Sequence, residues 1–174
     1  MSKLFLFLAL AVSAQETRYE PASGAFTCVA PAGWDASESD EPFGPVTRFV
    51  GPEDPTGHYR AGLSVRWHEA GTPGFVPAKR MLDVLRRKEE ATDRQSTPVR
   101  IVRVGGLPYR VFEVTETRHL PPDRLPAVSR DLHHFIALAP WGQGYFVIRL
   151  SSTLETYLEH RETFNEFLRR FTPR

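Results

Sequence analysis

PVRIVRVGGLPYRVFEVTET, residues 98–117, decides the fold. Gly105-Gly106 is a two-residue loop able to adopt the positive φ angles that a type I′ turn requires. The alternating segments on either side, 98–104 and 107–117, are therefore predicted to pair as a hairpin. Setting Val104 opposite Leu107 places Val102 against Tyr109 and Arg100 against Val111. The other face carries Val99, Ile101, Phe112 and Val114. Both faces are substantially apolar, and such a sheet needs cover on both sides.

Outward from this hairpin, the chain supplies that cover. Residues 25–30 (AFTCVA) read as a short strand, Pro31-Ala32-Gly33 as a turn, and Trp34 as the start of a second extended piece. Residues 37–45 are polar, hold two prolines and read as loop. Val46 to Val50 forms a third strand, and residues 60–68 a fourth with Ala61, Leu63, Val65 and Trp67 on one face. Met81, Leu82 and Leu85 make an apolar stripe on a helix expected over 77–91, with Pro77 in its first turn. After the hairpin, residues 118–130 (RHLPPDRLPAVSR) read as a proline-rich loop, and 131–139 and 144–150 as strands around a tight PWGQ turn. Ser152-Thr153-Leu154-Glu155 matches a capping box, in which Ser152 accepts from the N–H of Glu155. The helix behind it carries Leu154, Tyr157, Leu158, Phe164, Phe167, Leu168 and Phe171 and stops before Pro173. The expected architecture is an α/β (α+β) antiparallel sheet sandwiched between helices. No repeat, linker or low-complexity segment divides the chain.

Residues 4–12 (LFLFLALAV) follow Lys3 and precede Val12-Ser13-Ala14, the pattern of a cleavable signal peptide. The expected organisation is thus a signal segment at 1–14 and one domain at 15–174, exported to the periplasm or beyond, with no transmembrane segment. Without residues 1–14, basic and acidic side chains balance at 21 each, because Lys3 is the one charge removed. A neutral chain gives no electrostatic case for nucleic acid. Cys28 is the single cysteine, so no internal disulfide is possible. Its alternation with Phe26 and Ala30 points to burial.

Phe26-Thr27-Cys28-Val29-Ala30-Pro31-Ala32-Gly33-Trp34 resembles the opening of PsbP-like domains, in which a short strand runs into a Pro-x-Gly-Trp turn. Gly144-Tyr145-Phe146-Val147-Ile148-Arg149-Leu150, with Tyr157, Phe164 and Phe167 after it, is similar to their last strand and closing helix. This superfamily includes PsbP itself, a Ran-binding nuclear import factor and many exported bacterial proteins of unassigned role. The resemblance implies an exported bacterial member with the PsbP-like α/β/α fold that acts by binding a partner and not by catalysis. No partner-binding residue of the named members matches this chain.

Asp131-Leu132-His133-His134 is the sharpest chemical candidate. Asp131 and His133 share a strand face and could begin a metal site, with His119 or Glu116 on the neighbouring strand. Zinc needs three or four protein ligands, and neither HExxH nor CxxC spacing is present. Ser151 and Ser152 are explained by capping. Glu113 and Glu116 fall on opposite strand faces, and no cofactor motif stands out. The apolar residues are accounted for by helix and strand faces, leaving no buried polar cluster for an active site. The favoured function is non-catalytic binding of an envelope or extracellular protein. The candidate surfaces are Leu120, Pro121, Pro122, Asp123, Arg124 and Leu125 in the stiff loop, and Trp141 at a hairpin tip. The two should lie at opposite ends of strand 131–139. A metal-binding protein or metalloenzyme using the Asp131/His133 region is the alternative.

Overall fold

In a computed structural model that describes residues 17–120 and 126–174, the chain runs through β1 (Arg18–Tyr19), β2 (Phe26–Val29), β3 (Asp35–Glu41), β4 (Gly44–Glu53), β5 (Arg60–Glu69) and α1 (Ala78–Leu85). It continues through β6 (Gln95–Ser96), β7 (Arg100–Val104), β8 (Leu107–Leu120), β9 (Val128–Trp141), β10 (Gly144–Thr153), α2 (Tyr157–Arg170) and β11 (Thr172–Pro173). Residues 1–14, expected to be the signal segment, lie outside the described residues.

The hairpin has the expected register: Val104 pairs with Leu107, Val102 with Tyr109 and Arg100 with Val111. Gly105 and Gly106 take φ of 55° and 84°, as a type I′ turn demands. Among the described residues the main sheet is ordered β3-β4-β5-β10-β9-β8-β6, with β7 also on β8, and every pairing is antiparallel. A small sheet, β1-β2-β11, lies apart from it.

Alternation along the strands gives the main sheet two faces. One carries Tyr109, Val111, Phe135, Ala137, Phe146, Ile148 and Leu150, which pack with Leu63, Val65 and Phe49 against Phe164, Phe167, Leu168 and Phe171 and against Phe26 and Cys28 of the small sheet. The other carries Phe112, Val114, Ile136, Leu138 and Tyr145, covered by Phe75, Ala78, Met81, Leu82 and Leu85 on and before α1. Cover on both sides is thus met, but α1 is short and covers only part of its face.

Several elements differ from the sequence reading. Residues 37–45 are not loop. Asp35–Glu41 is an edge strand and β4 begins at Gly44. Its acidic, exposed side chains lack apolar alternation because it is an edge strand met by polar contacts, Tyr19 and the Ala22 N–H on Glu38, and charge there also blunts edge-to-edge association. α1 stops at Leu85, short of residue 91. One turn further on stand Lys88 and Glu89, so continuing the helix would bury nothing. The segment 118–130 is mostly strand: Leu120 still pairs with Val128, and the connection proper is 121–127. β9 and β10 likewise extend beyond 131–139 and 144–150. Ser152 does not cap α2, since it lies in β10 opposite His133, its hydroxyl is buried, and the helix starts only at Tyr157. β7 is not core: Ile101 is 69% exposed and Val102 41%.

Phe167 is buried, with ring centroids of Phe49 at 5.6 Å and Phe171 at 6.0 Å. Phe167→Ala should lower the unfolding free energy by ~3–5 kcal/mol, read from urea titrations with an unchanged slope.

Candidate functional site

The face that α1 covers changes character halfway along. Beyond Phe112 and Val114 on β8 the next residue on that face is Glu116; on β9, His134 follows Ile136; on β10, Arg149 and Ser151 follow Tyr145 and Val147. His134 is fully buried and pairs across the ladder with Ser151. The Ser151 hydroxyl donates to His134 Nδ1 at 2.7 Å, which puts the ring proton on Nε2, 3.3 Å from Glu116 Oε1. Arg149 Nη2 lies 3.1 and 3.2 Å from the two ring nitrogens, near-equal distances that set the guanidinium over the ring face. Arg149 Nε donates to Ser151 Oγ at 3.1 Å.

Glu116 is almost wholly buried and accepts from Arg94 and from Arg118 Nε at 3.0 Å as well. The His134 hydrogen bond comes first, and with Arg118 and Arg94 it outweighs burial and holds the Glu116 carboxyl well below the usual carboxylate range. Burial pushes His134 down to about 4 against the pull of Glu116, so the ring is neutral at pH 7. Arg94 also donates to the Leu85 carbonyl at 2.8 Å, closing the C-terminal end of α1. The polar cluster and the helix stop are therefore one construction.

Next to this cluster the face is open. Arg48, Tyr59, Gly62, Ser64, Arg149 and Ser151 line a depression of about 300 Å³. Tyr59 is positioned by the turn before β5. There Asp54 accepts from the backbone N–H of His58 at 2.9 Å and of Tyr59 at 3.2 Å. Burial raises the Tyr59 hydroxyl above its ordinary value, although Arg149 and Ser151 lie beside it, so it stays a neutral donor. Glu41 binds both Arg48 and Arg66. On this half of the face Glu41 serves Arg48 and Arg66, Glu116 serves Arg94 and Arg118, and Asp35 lies 3.9 Å from Arg60, so arginines outnumber carboxylates.

The expectation that no buried polar cluster remains is overturned by Glu116, His134 and Arg149, which sit on three separate strands that only pairing brings together. A lone arginine inside the apolar run Tyr145–Leu150 was the available signal. Ser151, His134 and Glu116 are hydrogen-bonded in series, as in a catalytic triad. Yet Ser151 lies between two paired strands, opposite Gly62 and His134, and Arg149 donates to its oxygen. The strand backbone on both sides of Ser151 is engaged in ladders with β5 and β9 and not turned toward its oxygen as an oxyanion hole would need. The series positions Arg149.

The residues singled out from sequence lie elsewhere. His133 is buried on the α2 face, with Nε2 2.9 Å from Glu113 Oε2 and its ring stacked on Tyr157 at 4.4 Å. Asp131 accepts from Thr117 at 2.8 Å. Glu116 is on the opposite face from both. Among the described residues no group of three or more His, Cys, Asp or Glu is placed to hold a metal. Leu120 is buried, and residues 121–125 lie outside the described residues. Trp141 donates its indole N–H to the Arg174 carbonyl at 2.9 Å, at the other end of β9 from the 121–127 connection. Cys28 is buried, and burial alone pushes its thiol up to about 12.

A histidine held below its ordinary value of 6.5 adds stability above that value and loses it as pH falls toward the folded value. Stability should therefore drop between about pH 6.5 and 4, with His134 contributing about 3 kcal/mol at the limit. His133, His68 and His160, all lowered by burial, act in the same direction. Urea titrations at several pH values should show a shallower acid loss in His134→Gln than in the parent; an equal slope would remove His134 from the account.

No family model and no curated protein sequence matches this chain. Solved structures do. A protein of unknown function from Pseudomonas aeruginosa, PA94, described as a putative regulator, aligns with a TM-score of 0.56 at 13% identity, covering 91% of this chain and 97% of that one. Cyanobacterial PsbP (CyanoP) from Synechocystis aligns at 0.55 and 13%, covering 97% and 98%. The Saccharomyces cerevisiae Ran-binding protein Mog1p aligns at 0.55 and 15%, covering 92% and 96%. The resemblance read from Phe26–Trp34 and from β10 with α2 holds at the level of fold: this chain has the antiparallel α+β fold of PsbP and Mog1p.

Proposed function

We propose that the chain is an exported accessory protein of the cell envelope that works by binding another protein and not by catalysis. The observation that carries this reading is the half of the sheet face left bare by α1. Proteins cover apolar faces with their own helices, and here the cover stops where arginines begin. The β8–β9 arm borders this open half. β9 residues Val128–Asp131 pair only with Leu120–Thr117 of β8, because β10 ends at Thr153 opposite Leu132. Residues 121–125, with three prolines across 121–126, continue from that arm and would lose little entropy on contact. The fold comparisons support a binding role: one neighbour is described as a putative regulator and another as Ran-binding. The apolar run at 4–12 supports export. Among the described residues no helix is long and apolar enough to cross a membrane.

Replacing residues 121–127 by a two-residue turn should leave the thermal transition nearly unchanged and weaken capture of the partner from the envelope fraction of the source cell. Unchanged affinity in a folded variant would show that the connection is only surface cover. Intact-mass analysis of the native protein should give a chain beginning at Gln15, and a protein retaining Met1 would rule out export by cleavage.

A further inference from the structure

The depression beside the buried cluster has a floor and walls of different chemistry. Gly62, Ser64 and Ser151 form the floor on β5 and β10. Glycine inside a strand lacks a side chain to pack and often marks close approach of another group. A Cβ at Gly62 would meet nothing within 4 Å, so the space above it is open. Arg149, Tyr59 and Arg48 form the walls.

Arg149 is the central element. Its Nε is spent on Ser151 and its Nη2 faces the His134 ring, which leaves Nη1 without a partner among the described residues. No described carboxylate lies within ion-pair distance of it, since Glu116 is taken by Arg94, Arg118 and His134. Burial disfavours the charged guanidinium and pulls it below its ordinary value, with Glu116 only partly opposing. A half-buried cation held in a fixed orientation with one free edge is a site that an incoming anion completes.

We propose that this depression receives a carboxylate side chain from an acidic segment of the bound protein, gripped by Arg149 with Tyr59 and Arg48 beside it. The proposal rests on the binding reading above and names the anchor of that contact. The donors favour a carboxylate over a phosphate group. Ser151 is already committed to His134 and Arg149 and also meets the Tyr59 hydroxyl, so the free edge of Arg149 remains, with Arg48 largely engaged by Glu41 and by Ser39 at 2.5 Å. One guanidinium edge matches a carboxylate and leaves a phosphate group undersupplied. The surplus of arginines on this half of the face steers acidic chains toward it. Its position between paired strands, open to solvent, suits a side chain projecting from an extended partner segment.

The test uses the full isotope-labelled chain and three probes: an N-acetylated, C-amidated hexaglutamate peptide, its hexaglutamine counterpart and inorganic phosphate. Hexaglutamate should shift the Gly62 amide and Arg149 side-chain resonances, and affinity should fall at least about tenfold in Arg149→Gln and in Gly62→Val. Arg149→Gln could unfold the cluster, but Gly62→Val adds a strand-favouring side chain into open space and should melt at or above the parent temperature. Equal binding of hexaglutamine, shifts confined to other surfaces, or unchanged affinity in folded Gly62→Val would each overturn the carboxylate anchor. Phosphate shifting these resonances while hexaglutamate does not would overturn it too. Retained partner capture by Gly62→Val would leave the binding reading standing and move its anchor elsewhere. Failure of the parent protein to capture any partner would remove the binding reading, whatever hexaglutamate does.

Discussion

A carboxylate sunk into the middle of a sheet face must be matched where it stands, and Glu116 is matched from three directions. His134 comes from β9, Arg118 from two residues along β8, and Arg94 from the segment after α1. Removing Glu116 takes the shared anion from Arg94, Arg118 and His134 together, and breaking a buried set of this kind typically costs about 3–5 kcal/mol, roughly the scale of truncating a core phenylalanine. The match also has consequences at a distance. Arg94 reaches Glu116 only if the chain turns back after Leu85, and the turn is visible at Asp93, which takes a positive φ of 45°. Glu89 and Arg94 then pair backbone to backbone. The same guanidinium closes the last carbonyl of α1. The length of α1, and with it the extent of bare sheet, follows from where Glu116 lies on β8.

The two faces of the sheet consequently do different work. On the α2 face, aromatic rings from the small sheet, β9, β10 and the region of α2 pack in two groups: Phe26 against Phe146 at 5.9 Å and Phe146 against Phe171 at 5.2 Å, and Phe135 against Phe164 at 5.7 Å. Edge-to-face and offset contacts of this kind add to area burial. Even the charged residues of this face turn inward to one another, with Glu113 taken by His133 and flanked by Arg100 at 3.6 Å. The α1 face holds a smaller apolar cluster and then yields to polar groups. Stability resides mainly on the first face, which frees the second to carry surface chemistry.

How much of this could be read from the sequence depends on whether a feature is written along one strand or across several. The β7–β8 register was legible because a Gly-Gly turn and two alternating segments are adjacent in the chain. The apolar stripe of α2 was legible for the same reason. β3 was not, because an exposed acidic edge strand lacks the alternation that marks a half-buried one. The α1 boundary was not legible because residues 86–91 have good helical propensity, while the lack of anything to bury beyond Leu85 and the Arg94 contact that closes the helix appear only in the fold. Leu120 read as loop because the two prolines after it suggested an earlier break, whereas the ladder runs on to Val128. The polar cluster was least legible of all. Glu116, His134 and Arg149 are separated by 18 and 15 positions in sequence, nothing in any one segment points to the other two, and the contact exists only once β8, β9 and β10 are aligned.

That alignment also explains why Arg149 is held differently from an ordinary surface arginine. A solvated guanidinium samples many rotamers, and most of its attraction for an anion is lost to that freedom and to salt. Arg149 is fixed by a hydrogen bond to Ser151 and by the His134 ring beneath it, and that ring is itself fixed by Glu116. Each step is a neutral or charge-assisted contact within one sheet face, so the orientation of the guanidinium is set before any ligand arrives. His134 must remain neutral for this to hold: an imidazolium would press a second positive charge against Arg149 and give up the acceptor that Ser151 uses. Burial keeps the ring neutral, and the burial comes from the same strand alternation that made the face apolar one turn earlier. The polar half of the face is therefore continuous with the core beside it, and its chemistry is set by the packing that surrounds it.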